Sequence, residues 1–330
     1  MPKIARFYEL GGPEVLKLVE ESSKQPGKGE VRLKVQAVGL NRAEALFLRG
    51  QYLEQAKLPA GVGYEAAGMV DAVGPDVDRN WLGKRVSTIP AFSMNDYAML
   101  GEEVLAPVAA LGEYPPRLSP LEGAAIWMQY LTAYGALIEI AHLGRGDFVV
   151  LPAASSSVGI AAIEIAKVEG AVSIATTRRS NKKAELISLG AGHVIATEEE
   201  DTLARVKEIT GGKGPRVIFD PVSGRFLETL CKAVATGGII IEYGGLSLQA
   251  PVFPLPLALK KGLTIRGYTL MEVTRNPELL AIARKYVYDH LADGRFQPKI
   301  AKVFPFAKSV EAFQYLESNA QVGKVVISVP

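Results

Sequence analysis

The sequence predicts an α/β protein in which a doubly wound parallel sheet of six strands is joined to a separate β-rich domain. Three observations carry that expectation. The chain has 330 residues, more than one hydrophobic core usually serves, so two domains are expected. From about Asp147 onward, apolar runs of strand length alternate with stretches of helical periodicity, the pattern of parallel strands joined by crossover helices. From residue 28 to about 120 the texture differs: glycine, proline and short alternating runs dominate, as in a compact β-rich domain.

Taken in order, "EVRLKVQAV" turns Val31, Leu33, Val35 and Ala37 one way and Arg32, Lys34 and Gln36 the other, which suits a half-buried strand. "GYEAAGMVDAVGPDV" and "GKRVSTIPAF" read as further short strands broken by turns. Six strand candidates follow: Phe148 to Leu151, Val172 to Thr176, His193 to Ile195, Val217 to Phe219, Ile239 to Tyr243 and Leu263 to Gly267. A helical stretch from about Pro277 to Ala292 comes next. The tail "KVFPFAKSVEAFQYLESNAQVGKVVISVP" reads strand, helix, strand and is placed to complete the first domain.

Hydrophobic residues make up 48% and charged residues 22%, the profile of an ordinary globular protein. The 37 basic and 35 acidic side chains nearly cancel, so no bulk field draws nucleic acid or an anionic membrane, and a small-molecule partner is expected. No apolar stretch approaches the ~20 residues of a membrane span, and "MPKIARFYELGG" lacks a signal-peptide core, so a cytoplasmic protein is expected. A single cysteine, Cys231, excludes an intrachain disulfide and reads as a small buried hydrophobe. His142, His193 and His290 are unclustered and read as structural, so strong zinc ligands are few.

The stretch "VVLPAASSSVGIAAIEIAKVEG" joins the first sheet strand to a helix starting near Ser157. A loop there offers unpaired N–H groups and the positive end of a helix dipole to a phosphate. Nucleotide loops use glycines so that backbone can approach the pyrophosphate; here Ala154, Ser156 and Gly159 hold the three glycine positions. Ser155, Ser156, Ser157 and Val158 are therefore candidate phosphate-loop residues, and the same serines equally suit a helix N-cap.

One crossover later, "IATTRRSNKKAEL" carries Arg178 and Arg179 where an NAD-binding sheet carries a ribose-binding acid. Guanidinium groups bind a 2′-phosphate that a carboxylate would repel, and Lys183 adds a third positive charge, so the expected cofactor is NADPH. A solvated basic helix start is the plainer alternative, although cations at a helix N-terminus oppose its dipole.

These residues, with "GGPEVLKL", "VGLNRAEALFLRGQY", "GYEAAGMVDAVG", "GKRV", "YLTAYGAL", "GPRVIFDPVSG", "GLTIRGYTL" and "GKVVISV", resemble the medium-chain dehydrogenase/reductase superfamily, in its zinc-free NADPH:quinone oxidoreductase branch. The resemblance runs along nearly the whole chain, and it is the order and spacing of the motifs that make it specific. It implies a GroES-like catalytic domain over residues 1–124, completed by 294–330, and a Rossmann NADPH-binding domain over 125–293, usually as a homodimer. The activity it implies is hydride transfer from NADPH to quinones or other α,β-unsaturated carbonyls. The rival readings are a zinc-type alcohol dehydrogenase, and a non-catalytic NADPH-binding sensor or RNA-binding module on the same fold.

The zinc-dependent relatives place a cysteine where this chain has Asn41 and a histidine where it has Tyr64, and amide and phenol are poor zinc ligands. The substrate oxygen is then to be polarised by hydrogen bonds alone. Asn41, Tyr52, Tyr64 and Gln129 are the catalytic candidates that the resemblance implies, with Asn41 also suited to cap the helix "RAEALFLR" and Tyr64 also suited to a packed core. Thr132, Gly244 and Leu246 are implied on the nicotinamide side. The chain departs from the family in "PAGVGYE", which lacks a common proline, and in Thr197, where a tyrosine often stands.

Overall fold

The computed structural model describes residues 1–247 and 249–330, which divide into two compact units. The first comprises Met1–Met128 with Thr274–Pro330, and the second Gln129–Val273.

In the first unit, strands β1 (Glu30–Leu40), β2 (Glu65–Val73), β3 (Arg85–Thr88), β4 (Glu103–Pro107) and β5 (Leu111–Gly112) are interrupted by one helix, α1 (Arg42–Leu48). Alternation in β1 does what the sequence predicts: Val31, Leu33, Val35 and Ala37 are buried, and Lys34 and Gln36 are exposed. Helix α2 (Trp127–Tyr134) then leads into the second unit and continues as a π-helical turn over Gly135–Ile140.

The second unit strings β6 (Phe148–Leu151), α3 (Ser157–Val168), β7 (Val172–Thr177), α4 (Lys183–Ser188), β8 (His193–Ala196), α5 (Thr202–Ile209), β9 (Val217–Asp220), α6 (Phe226–Ala233), β10 (Ile239–Glu242), α7 (Leu255–Lys261) and β11 (Thr264–Gly267). Its sheet is wholly parallel, in the order β8-β7-β6-β9-β10-β11, so the strand sequence reverses next to β6. That is the doubly wound topology expected, and all six strand candidates are present within a residue of their expected ends. Val150, Ile174, Ile195, Ile218 and Ile240, one from each of five strands, pack with α6 residues Leu227, Leu230 and Cys231 into one core. Cys231 is a buried hydrophobe, as expected.

The chain then re-enters the first unit through α8 (Pro277–Ala292), β12 (Ile300–Pro305), α9 (Ser309–Glu317) and β13 (Lys324–Ser328). Order in that sheet is β12-β13-β1-β2-β3-β5, with β4 also on β1; only β12 and β13 run parallel. Phe313, Leu316 and Ile327 of the tail are buried in the same core as Leu33 and Phe47, which is why the tail completes this unit. Helix α8 differs from expectation: it belongs to the first unit, where Arg117 Nε donates to the Leu291 carbonyl at 3.0 Å, and not to the sheet domain that precedes it in sequence. Periodicity identifies the face a helix buries, but not the partner against which it is buried.

Candidate active site

Three strand ends of the first unit converge on a buried polar cluster. Pairing of Val325 with Leu40 and of Gly39 with Glu65 brings the start of β13, the end of β1 and the start of β2 side by side. Lys324, Asn41, Glu65 and Glu44 are thereby gathered, all nearly or wholly buried. The Lys324 ammonium donates to Asn41 Oδ1 at 2.6 Å and to Glu65 Oε2. The other oxygen of Glu65 accepts from Met128 N at 2.9 Å, in the first turn of α2, where the helix dipole favours a carboxylate. Gly39 is required here: a Cβ on it would lie 1.9 Å from the Ala124 carbonyl oxygen and 2.7 Å from Lys324 Cε.

Asn41 has no spare amide group. Its Oδ1 is taken by Lys324, and its Nδ2 donates to Glu44 Oε1 at 3.1 Å, with longer contacts to Gly39 O and Glu65 Oε2 at 3.4 Å. It stands at the N-cap position of α1, but its side chain makes no cap bond, because the buried ammonium holds the oxygen that capping would use. Glu44 accepts from Tyr64 N as well, at 3.2 Å, and its Oε2 is buried without a partner. Burial pushes the Glu44 carboxyl up to about 7, against the Asn41 bond and the Lys324 charge, which pull it down.

Beside this cluster runs a row of aromatic rings. Tyr52 meets Tyr64 at a centroid distance of 6.3 Å, Tyr64 meets Phe92 at 5.7 Å, and Phe92 meets Tyr97 at 5.8 Å. Tyr64 is packed into the core, 1% exposed, with its hydroxyl interacting with that of Tyr52. Tyr52 is half-buried at the edge of that core. Burial raises both phenols above their ordinary value, so both stay protonated and able to donate.

In the second unit the three serines divide their roles. Ser156 caps α3, its hydroxyl accepting from Gly159 N at 3.1 Å. Ser155 Oγ accepts from Lys182 Nζ at 3.1 Å. Ser157 and Val158 open the helix, half-buried. Ala154 N is tied to the Thr176 carbonyl at 3.0 Å, and Ala153 turns the loop at φ 49°, a left-handed conformation where glycine is usual. Gly159 cannot be larger: a Cβ would meet Ala154 Cα and O at 2.6 Å. The loop therefore has the tight helix–strand approach of a nucleotide loop, reached with only its last glycine.

The basic run at the end of β7 is met by acids that the sequence reading left out. Because β7 and β8 are neighbours, Thr197–Glu200 lies across from Thr177–Lys183. Arg179 pairs with Glu198 at 3.0 Å, Lys183 with Glu200 at 2.8 Å, and Ser180 N donates to Glu199 at 3.1 Å. Arg178 is exposed. Lys182, also absent from the sequence reading, reaches the serine loop.

Of the residues expected near the nicotinamide, Gln129 and Thr132 lie on α2 and are buried, Gln129 with its Oε1 unpartnered. Gly244 and Leu246 lie in the exposed turn after β10, which is held to the turn after β9 by Leu246 N donating to Pro221 O at 2.9 Å. Beneath that turn, Asp220 and Glu242 are register partners on β9 and β10. Asp220 accepts from Val222 N and Ser223 N, and Glu242 packs beside Asp220 and Ser223; burial together with the Asp220 charge raises Glu242 to about 8. The histidines form no cluster: His142 and His193 are exposed, and His290 stacks on Phe296 with centroids 4.8 Å apart.

Two family models match: an alcohol dehydrogenase GroES-like domain over residues 27–137 and a zinc-binding dehydrogenase domain over 157–285. Quinone oxidoreductase 1 of Escherichia coli strain K12 is 30% identical over 324 residues, covering 97% of this chain and 98% of the relative. The solved structure of Escherichia coli quinone oxidoreductase complexed with NADPH has a TM-score of 0.90 at 28% identity, covering 99% of each chain. The apo structure of JamJ enoyl reductase has a TM-score of 0.87 at 27% identity, covering 100% of each chain. Matching in sequence and in fold from end to end, the chain belongs to the medium-chain dehydrogenase/reductase superfamily, in its quinone oxidoreductase branch.

Proposed function

We propose that this oxidoreductase transfers hydride from NADPH to quinones and other α,β-unsaturated carbonyls, and that it does so without a metal. The observation that carries the proposal is the buried Lys324 ammonium bonded to Asn41 Oδ1 and to Glu65. Zinc does not fit these residues: the Asn41 oxygen is occupied by a cation, Tyr64 offers a protonated phenol, and a dication would face a buried positive charge.

The second unit's residues fit a dinucleotide. The Ser155–Gly159 turn presents the N-terminus of α3, Gly159 permits close approach, and Arg178 with its basic neighbours suits a 2′-phosphate. The unpartnered Gln129 Oε1 is an acceptor suited to a carboxamide N–H. Bound NADPH supplies the hydride. Tyr52, kept protonated by its partly buried position, donates a hydrogen bond to the substrate oxygen as negative charge grows there. Tyr64 packs against its ring and fixes its direction, and Asn41, with both ends of its amide engaged, braces the end of β1 and the start of α1 rather than touching substrate.

The test is turnover of NADPH by the purified protein with a panel of quinones, enals and enones, followed through nicotinamide absorbance, with metal analysis of the same sample. Turnover at sub-stoichiometric zinc is expected. Tight NADPH binding with no turnover on any acceptor favours a sensor instead, and activity that tracks stoichiometric zinc favours an alcohol dehydrogenase.

We further propose a homodimer formed along β11. This strand is a sheet edge with unpaired backbone groups, and the segment before it exposes Val252, Phe253, Leu255 and Leu259. Leu259→Glu is expected to shift the dimer to monomer in sedimentation; an unchanged dimer refutes this edge.

A further inference from the structure

A cavity of about 290 Å³ lies within the first unit, between the opening turns of α8 and the connection from β4 to β5. Leu280, Ala281 and Arg284 line it from one face of α8, three and four residues apart, and Pro107 and Ala110 bound it from the connection. Thr274 completes the wall; it is 8% exposed, and its hydroxyl is buried without a hydrogen-bond partner. None of the lining residues belongs to the buried polar cluster or to the aromatic row.

Arg284 is the only charged residue of this lining, and among the described residues it makes no hydrogen bond and no ion pair. The fold treats other half-buried arginines differently: Arg6, Arg32 and Arg216 each grip a carboxylate with both arms of the guanidinium. The one carboxylate whose charge acts on Arg284, that of Glu113, is bonded to Lys84 at 2.6 Å. Burial pulls the Arg284 guanidinium below its ordinary value, because water has been taken from a charge that no bonded anion compensates, yet an arginine stays protonated.

We infer that this cavity is a binding site for a small organic carboxylate, with the Arg284 guanidinium forked on the carboxylate, the Thr274 hydroxyl as a second polar partner and the ligand's hydrocarbon part against Leu280, Pro107 and Ala110. A single cation suits a monoanion, and apolar walls suit a hydrocarbon arm better than a hydrated inorganic ion. A cavity of about 150 Å³ holds benzene, so this one has room for a ring together with its carboxylate. The assignment is independent of the activity proposed above.

The experiment is calorimetric titration of the whole protein with benzoate, benzyl alcohol and inorganic phosphate. Benzoate is expected to bind with a Kd of about 1 mM or tighter, and the other two about 10-fold or more weakly, since one lacks the charge and the other the hydrocarbon. Arg284→Met is expected to weaken benzoate about 10-fold or more, and Thr274→Val about fivefold. Ala281→Phe, an exposed position on the cavity wall, is expected to abolish binding by filling the space while leaving the thermal unfolding midpoint within about 2 °C. Absence of benzoate binding to the wild type, benzoate affinity unchanged in both Arg284→Met and Ala281→Phe, or phosphate bound as tightly as benzoate overturns the assignment.

Discussion

Replacing Lys324 by methionine removes the only cation among the described residues that bonds Glu65, and the site allows the cost to be worked out. Both partners are buried, Lys324 at 1% exposure and Glu65 at 1%, so water cannot solvate the carboxylate left behind. Glu65 would keep Met128 N at 2.9 Å and a long contact from Asn41 Nδ2 at 3.4 Å, while Asn41 Oδ1 would lose its donor. Breaking a buried pair from one side typically costs about 3–5 kcal/mol, because the survivor is an uncompensated buried charge. The double variant Lys324→Met/Glu65→Gln removes that charge and is expected to recover more than half of the loss. Urea unfolding followed by tryptophan fluorescence reports the right part of the molecule, since Trp81 and Trp127 both lie in the first unit. A loss below about 1 kcal/mol, or losses that simply add in the double variant, would refute the claim that this ion pair is a coupled, buried unit.

Other expectations follow from the same geometry. Glu44, raised from 4.5 to about 7 by burial, binds a proton in the folded state that the unfolded chain has already released; its contribution is complete below about pH 4.5 and is lost as pH rises through 7, by about 3 kcal/mol. Glu44→Gln should flatten that slope in unfolding free energy measured across this window, and an unchanged slope would exclude Glu44 as its source. Ser156→Ala should cost about 1 kcal/mol through loss of the α3 cap, whereas Ser157→Ala should cost less than about 0.5, measured by chemical denaturation. Equal costs would deny Ser156 its special position. Gly159→Val should abolish nucleotide binding, because its side chain would strike Ala154 backbone at 2.6 Å; retained binding would show that the loop can yield.

The sheet was legible because its strands are short, apolar and regularly spaced, so that periodicity and turn residues alone locate Phe148–Leu151 and its five neighbours. A serine cap was equally readable, from a run of serines just before an apolar helix, but which of the three serines caps α3 was not. What the sequence concealed is what depends on tertiary proximity. Lys324 opens a strand after a glycine, where a lysine ordinarily faces water, yet it is wholly buried 283 positions away from the asparagine it bonds. The only local signals were charges set among small or apolar neighbours, in "AEALFL", "GYEAAG" and "GKVVISV". The acids of "TEEED" are similarly silent in sequence, and they matter because β8 lies beside β7 and ends at the same level. Helix α8 was recognised as a helix but assigned to the wrong neighbour, since an amphipathic pattern fixes a face and not what covers it.

Metal-free hydride transfer is tested most directly by a single turnover in a stopped-flow instrument. The protein is dialysed exhaustively against a chelator, loaded with one equivalent of NADPH and mixed with the best acceptor from the panel. One equivalent of NADPH should be oxidised with the same rate constant before and after chelation. Oxidation that disappears after chelation and returns only with added zinc would contradict the role given to Lys324, Asn41 and Tyr52.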